Sequence, residues 1–435
     1  MKLIVTIFLS LIACNSFAQQ KTFTLKECIE TAIGANLDVA QAAYQKEVSG
    51  IDAKQAKQNL LPNFNASIGH SANQGRSIDP SSNSYVVQKF SSANYGLNGD
   101  VVLFRGLTLQ QLIRQKNYGR QASEYEWQQQ KDNITLNTIL TYLQLMNTQD
   151  MLALAQAQEE LSKQQEARLK ILDEKGAIAP AIRFDVQGQL AGDHISVTNL
   201  LADLESAKIS LCRLMNMPYQ KGLSFERINA DTIASIYETE PAAAFNEAIK
   251  KFSRIKAAEM RLQSAKAAIN VARGSLFPTL GFGTGLYSNY SSAAQKGYGS
   301  QLKNNYSSAF ALSLNIPIFN SFAARNNIKL AKANYRYTEQ LNNAVKNTLQ
   351  QDVEEAHINM TAAFERYRSL IDQVNAYQKS FEAAEAKFSA GVGNSIDYLT
   401  VKNNLYRANN NLIAAKYDYI LRTKILDYYQ GKQLW

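Results

Sequence analysis

Three histidines, two acid pairs, a glycine-rich run and three cysteines are the residues of this 435-residue chain whose types could carry chemistry. His70, His194 and His357 stand far apart, without the spacing of metal ligands or of a nucleophile and its base. Gly281–Phe282–Gly283–Thr284–Gly285 imitates a phosphate loop. It lacks the GxGxxG order and sits inside an alternating strand pattern, where small residues on one face explain it. Glu159–Glu160 and Glu354–Glu355 are adjacent on helical patterns, so their carboxylates point apart. The sequence therefore predicts no enzyme, no cofactor and no metal site. Cys28 and Cys212 are too distant in sequence to form a disulfide framework. Two free core thiols are the favoured reading, with a bond between them permitted if the chain is exported.

The compartment is read from the first residues. Lys2, the apolar run Leu3–Ala13 and the small-residue pattern Ser16–Phe17–Ala18 make residues 1–18 a signal peptide. Leu11–Ile12–Ala13–Cys14 offers a second reading, a lipobox in which Cys14 would be acylated. Beyond this segment no apolar run approaches the ~20 residues of a membrane-spanning helix. The formal charge is +9, from 46 basic and 37 acidic residues, but the charges are interspersed with no block of one sign. That describes a solvated helical surface and excludes nucleic acid as a partner.

The chain repeats itself. Ala32–Ile33 recurs as Ala248–Ile249, Leu60–Leu61–Pro62 as Leu276–Phe277–Pro278, Phe104 as Phe319 and Gly176 as Gly391. The shift is 215–216 residues until Asp185 and Asp397, where it falls to 212 and implies a small insertion near Ala177–Ile182. Each repeat opens on one helix; the first occupies 19–216, with strands at about 63–72 and 90–104, a long helix at about 108–175 and a helix at about 184–216. A connector, 217–240, leads to the second repeat, 241–435, with strands at about 279–290 and 306–319 and helices at about 321–390 and 395–430.

The strands alternate with period two. Phe64, Ala66 and Ile68 oppose Asn65, Ser67 and Gly69; Tyr95, Leu97, Val101 and Leu103 oppose Asn94, Gly96, Asn98 and Asp100. Leu280, Phe282 and Leu286 oppose glycines, and Phe310, Leu312, Leu314, Ile316 and Ile318 oppose Ala309, Ala311, Ser313 and Asn315. Each has one apolar and one small or polar face, at a length of ~10 residues that suits a membrane-spanning strand. Pro317 marks a strand end or bulge. Between Ser321 and Ala390 there is neither proline nor glycine, and a 3-4 apolar spacing runs from Val353 through Met360, Tyr367, Val374 and Phe381 to Phe388. That is a coiled-coil seam.

Four amphipathic strands cannot close a membrane barrel, which starts at about eight strands, and an open edge cannot sit in hydrocarbon. Chains must pool strands. An oligomeric coiled-coil surface or structural protein and a general porin are the competing classes; the strands weigh against the first and the long helices against the second.

The two-repeat order, the Leu-Pro junctions, the Pro317–Ile318–Phe319 strand end and the glycine-turn-aspartate motifs together resemble the TolC-type outer membrane efflux proteins, from about Thr24 to Gly431. The resemblance implies a mainly α fold with membrane β: a long α-helical coiled-coil tunnel in the periplasm joined to a trimeric 12-stranded transmembrane β-barrel. It implies a homotrimer in outer membrane lipid that docks a periplasmic adaptor and an inner-membrane pump. The family's gate lies at the helix turns, here Lys175–Asp185, which includes Gly176, and Ala390–Asp397, which includes Gly391. Asp397 matches the first acid of the second turn, Asp185 the partner acid of the first. The family's second acid falls on Thr400, its tyrosine on Phe388 and its arginine on Gly393. An apolar Phe388 constriction backed by an Asp397 ring is therefore expected in place of a polar clamp. Both aspartates are alternatively simple caps of the following helices.

Overall fold

A computed structural model describes residues 22–78, 83–87, 89–227, 240–294 and 296–432. The signal segment and Cys14 lie outside the described residues, as does half of the expected connector, residues 228–239. The chain divides into two compact units. One comprises residues up to Ala43, Glu126–Ile255 and Val345 onward; the other comprises Tyr44–Tyr125 and Lys256–Ala344.

The strand-bearing unit holds one four-stranded antiparallel sheet, with β2 (Asn63–Asn73), β5 (Phe90–Arg105), β7 (Thr279–Ser291) and β8 (Ser307–Asn315) in the order β2-β5-β7-β8. Register puts Phe64, Ala66 and Ile68 beside Gly99, Leu97 and Tyr95, and sets Leu97 against Leu286 and Phe282 against Leu312. The expected apolar face is thus continuous over all four strands. It is open, with Ile68, Phe310 and Leu312 each at least 68% exposed. One correction follows from a bulge between Val102 and Phe104: Phe104, not Leu103, stands opposite Leu280. The fourth strand ends at Asn315, short of the expected 319, and Ile316–Phe319 have no strand partner among the described residues. The hairpin tips carry more than loop. Arg76–Ile78 (β3) pairs with Tyr85–Val87 (β4), and the other tip holds a short helix, α7 (Tyr298–Asn304).

The other unit is helical. The chain enters through Thr22–Phe23 (β1), which pairs in parallel with Ser224–Phe225 (β6), and the Tyr142 hydroxyl lies 2.6 Å from Glu226 O just past β6 and 3.3 Å from Phe23 O of β1. Each half opens on two helices where one was expected: α1 (Leu25–Ala35) and α2 (Leu37–Gln58), then α5 (Pro241–Lys251) and α6 (Ser253–Gly274). Thr24 and Glu27 form a reciprocal capping box that fixes the start of α1. The long helices are α3 (Thr108–Glu174) and α8 (Ala323–Ser389), returning as α4 (Pro180–Leu214) and α9 (Ser395–Tyr429). Within the helical unit the seam of α8 is covered, with Val353, Ala356, Met360, Ala363 and Phe381 buried. Cys28 and Cys212 lie free and buried in a core with Ile29, Tyr142, Met146 and Leu211. Burial pushes the Cys28 thiol up to about 12 and raises that of Cys212.

The two halves match in detail. α3 and α8 each have 67 residues, α4 and α9 each have 35. Gly106 and Leu107 have φ of 53° and 62°; Ser321 and Phe322, 215 residues on, have 53° and 61°. Strand register obeys the same shift: Asn63 faces Asp100, and Thr279, 216 on, faces Asn315, 215 on.

Candidate gate at the interhelical turns

Both turns are built alike. Gly176 (φ 65°) and Gly391 (φ 77°) take the left-handed conformation just past the ends of α3 and α8, where a side chain would be strained. Ala177 N then donates to Leu172 O at 2.9 Å, and Val392 N to Lys387 O at 3.1 Å, closing equivalent Schellman motifs. Each following helix begins four residues after its glycine, at Pro180 and at Ser395. The shift across the turn therefore stays at 215, and the expected insertion near Ala177–Ile182 does not exist. The helix expected to start at about 184 starts at Pro180, whose fixed φ suits a first helical position.

This changes the roles of the aspartates. Asp185 stands in the place of Thr400, not of Asp397. Neither is an N-cap: Ala179 precedes α4, and Asn394 caps α9. The Asn394 side chain accepts from Asp397 N at 2.7 Å and donates to Asp397 Oδ2 at 2.9 Å, leaving the carboxylate exposed at the turn. Asp185 accepts from Ser395 Oγ at 2.7 Å, joining the two turns.

Phe388 is turned into its own helix pair. Its ring stacks on Tyr398 at 4.6 Å between centroids and 9° between planes, and Phe381 covers the same tyrosine at 5.9 Å. Tyr398 is 1% exposed, with its hydroxyl unpartnered, and burial pushes it up to about 12. Phe388 thus fastens α8 to α9. Gly393 has little room for the family's arginine: a Cβ there would lie 3.1 Å from Phe388 N.

Polar ties do exist, from residues that sequence reasoning missed. Arg168 on α3 donates to Ser389 Oγ at 3.1 Å and to Ser389 O at 2.9 Å, bridging the halves at the end of α8. Further along α9, Lys402 is buried beside Asp193 of α4, with Nζ 3.6 Å from Oδ2. Lys402 donates to Ser162 Oγ of α3, and Ser162 donates to Asp193. Gln189 completes the carboxylate at 2.8 Å and accepts from Asn403 at 3.1 Å. Burial lowers the Lys402 pKa, against the opposing pull of Asp193. The network joins three helices from three distant segments, so no spacing announces it. The one signal was Lys402 standing on the row of Ser395, Tyr398, Ala408, Ala415 and Leu426, all buried.

The remaining candidates have ordinary surroundings. His194 Nδ1 lies 2.7 Å from Glu159 Oε1 at the surface, and His70 is exposed on the apolar face of β2.

Residues 244–427 match the family model described as outer membrane efflux protein. The chain is 26% identical to the outer membrane protein TolC of Escherichia coli (strain K12), over 96% of this chain and 83% of that one. It is 24% identical to the pyoverdine export outer membrane protein OpmQ of Pseudomonas putida, over 89% and 81%. Its fold is similar to the CmeC outer membrane channel of Campylobacter jejuni, with a TM-score of 0.80 at 17% identity, covering 94% of this chain and 87% of that one.

Proposed function

We propose that this chain, a TolC-type outer membrane efflux protein, is the exit duct of a tripartite efflux or type I secretion system. Three copies close a twelve-stranded barrel in the outer membrane and an α-helical tunnel in the periplasm. An adaptor and an inner-membrane pump deliver the exported substance to it.

The observation that carries this reading is the sheet. Its apolar face is exposed over four strands, and both outer strands, β2 and β8, have a free edge among the described residues. Hydrocarbon is the solvent that suits such a face, and it tolerates no open edge, so the strands of several chains must close together. The opposite face carries Asn65, Ser67, Gly96, Asn98, Gly283 and Ser313, small and polar enough to line water. Such a duct needs no catalytic residue.

The turns act as its gate. Asp185–Ser395 and Arg168–Ser389 hold the two halves together at the turns, and the Phe388–Tyr398 stack holds α8 to α9. Three-fold symmetry makes a ring of three Asp397 carboxylates that attracts cations. Native mass spectrometry of the detergent-extracted protein, paired with conductance in planar bilayers, tests the reading. A trimer that conducts poorly at rest and prefers cations is expected. A monomer stable in water without detergent would overturn it.

A further inference from the structure

We propose that Asp100 gives the bore of the barrel its own preference for cationic solutes, apart from the Asp397 carboxylates at the turns. This rests on the trimeric barrel proposed above and adds a residue that selects what passes through it.

Charge is almost absent from the sheet. Its four strands hold one acid, Asp100, and one permanent cation, Arg105, both on β5. Register decides which face each takes. Asp100 lies between Asn63 on β2 and Gly283 on β7, in step with Asn98, and so on the face that Asn65, Ser67 and Ser313 share. Its chain neighbours Gly99 and Val101 sit with Phe64 and Phe282 on the apolar face. Arg105 is opposite Thr279 beyond the bulge, on the polar face at the helical end of the strand. An unpaired carboxylate avoids hydrocarbon, so the place of Asp100 agrees with the assignment of this face to water.

The surroundings leave the carboxylate free to act at a distance. Asp100 is exposed, and neither it nor Arg105 forms an ion pair among the described residues. Beside it, Gly281, Gly283 and Gly285 put three bare positions in a row on the polar face of β7. A Cβ at Gly283 would meet nothing nearer than Gly99 O, at 3.9 Å. The next strand adds only Ala309, Ala311 and Ser313 on this face. Three copies therefore set three carboxylates at one level of the bore, where they gather cations and repel anions. Arg105, nearer the helices, opposes them at the inner end. The effect is a field over an open wall and not a pocket, so it must fade with salt.

Cysteine labelling from outside the membrane reads this field without opening the turns. Ala311 shares the polar face with Asp100, two strands away and ~10 Å distant across Gly283. Ala311→Cys is reacted with a cationic and an anionic methanethiosulfonate of similar size, and the ratio of the two rates reports the local potential. Cys28 and Cys212 are buried and add little background. At about 0.01 M salt, where screening extends ~30 Å, the nearest carboxylate alone favours the cation about threefold, and three copies favour it more. Asp100→Asn is expected to remove that preference, with Asp100→Ser as a second neutral variant in case the first misfolds. Arg105→Gln should strengthen it by less than about twofold, since Arg105 is farther from Ala311. At about 1 M salt, with screening of ~3 Å, all variants should give one ratio. Leu312→Cys, on the apolar face, should resist both reagents. A low-salt ratio that neither neutral variant changes, with Ala311→Cys labelled and Leu312→Cys protected, would overturn the role of Asp100 and leave the duct standing. Labelling of Leu312→Cys, or failure of Ala311→Cys to label, would overturn both.

Discussion

Replacing Lys402 by methionine removes one ammonium from a site where almost no water reaches. Lys402 is 2% exposed and Asp193 5%. The Asp193 carboxylate would keep Ser162 and Gln189 as donors but lose its counter-charge. Breaking a buried pair by removing one partner costs about 3–5 kcal/mol, because the survivor stays desolvated. At about 1.4 kcal/mol per factor of ten, amides of α9 around Tyr398–Tyr406 should exchange about 100-fold faster or more. Hydrogen exchange read by mass spectrometry on the detergent-solubilised protein measures this. Lys402→Met combined with Asp193→Leu removes both charges and should restore most of the protection, since apolar replacement of a buried pair is often neutral or stabilising. The sign with pH follows from burial. The folded state binds the Lys402 proton less tightly than the unfolded state, so the parent gains stability relative to the double variant as pH rises toward the ordinary lysine value of 10.5. A single variant within tenfold of the parent, or a pH trend of opposite sign, would refute the desolvated pair.

Arg168→Ala removes both bonds to Ser389 and should raise resting conductance in planar bilayers by a few fold, in keeping with about 1 kcal/mol for an exposed tie; an unchanged conductance would reduce the tie to a surface contact. Phe388→Ala uncovers Tyr398 and should destabilise the α8–α9 turn by about 3 kcal/mol, with a larger opening than Arg168→Ala, whereas Phe388→Tyr should conduct like the parent. Asp397→Asn keeps the Asn394 cap, so reversal-potential measurements should show weakened cation preference with the opening unchanged; parental selectivity would remove Asp397 from the gate. Cys28 and Cys212 should resist maleimide in the folded protein and react once it is denatured, and fast labelling of the native protein would contradict their burial.

Strand faces and turn glycines were legible because each rests on a local rule. Alternation needs only neighbouring residues, and the left-handed positions at Gly176 and Gly391 are announced by the residue type itself. Alignment by residue identity failed at the second aspartate. Asp185 and Asp397 share a type and lie near equivalent turns, yet the helices keep the 215-residue shift and put Asp185 opposite Thr400. Helical phase, set by where the chain leaves its turn, outweighs a matching letter. The break between α1 and α2 at Asn36 also escaped, since no proline follows it and Gly34 lies inside the last turn of α1; Asn36 is held there by its own side chain, which donates to Leu214 O. Ser162, Asp193 and Lys402 came together through packing of three helices, a relation no sequence period encodes.

The equal lengths of the paired helices impose a ruler on the molecule. One residue added to α3 or α8 would advance everything beyond it by ~1.5 Å and rotate it by roughly 100°, carrying seam residues out of their row. Length can therefore change only in whole heptads, and only if outgoing and returning helices of both halves change together. No such accounting binds the hairpin tips, where one half folds a small β-ribbon and the other a short helix at corresponding places. Tags and foreign epitopes belong there, and the tips are where relatives of this chain are free to diverge in length.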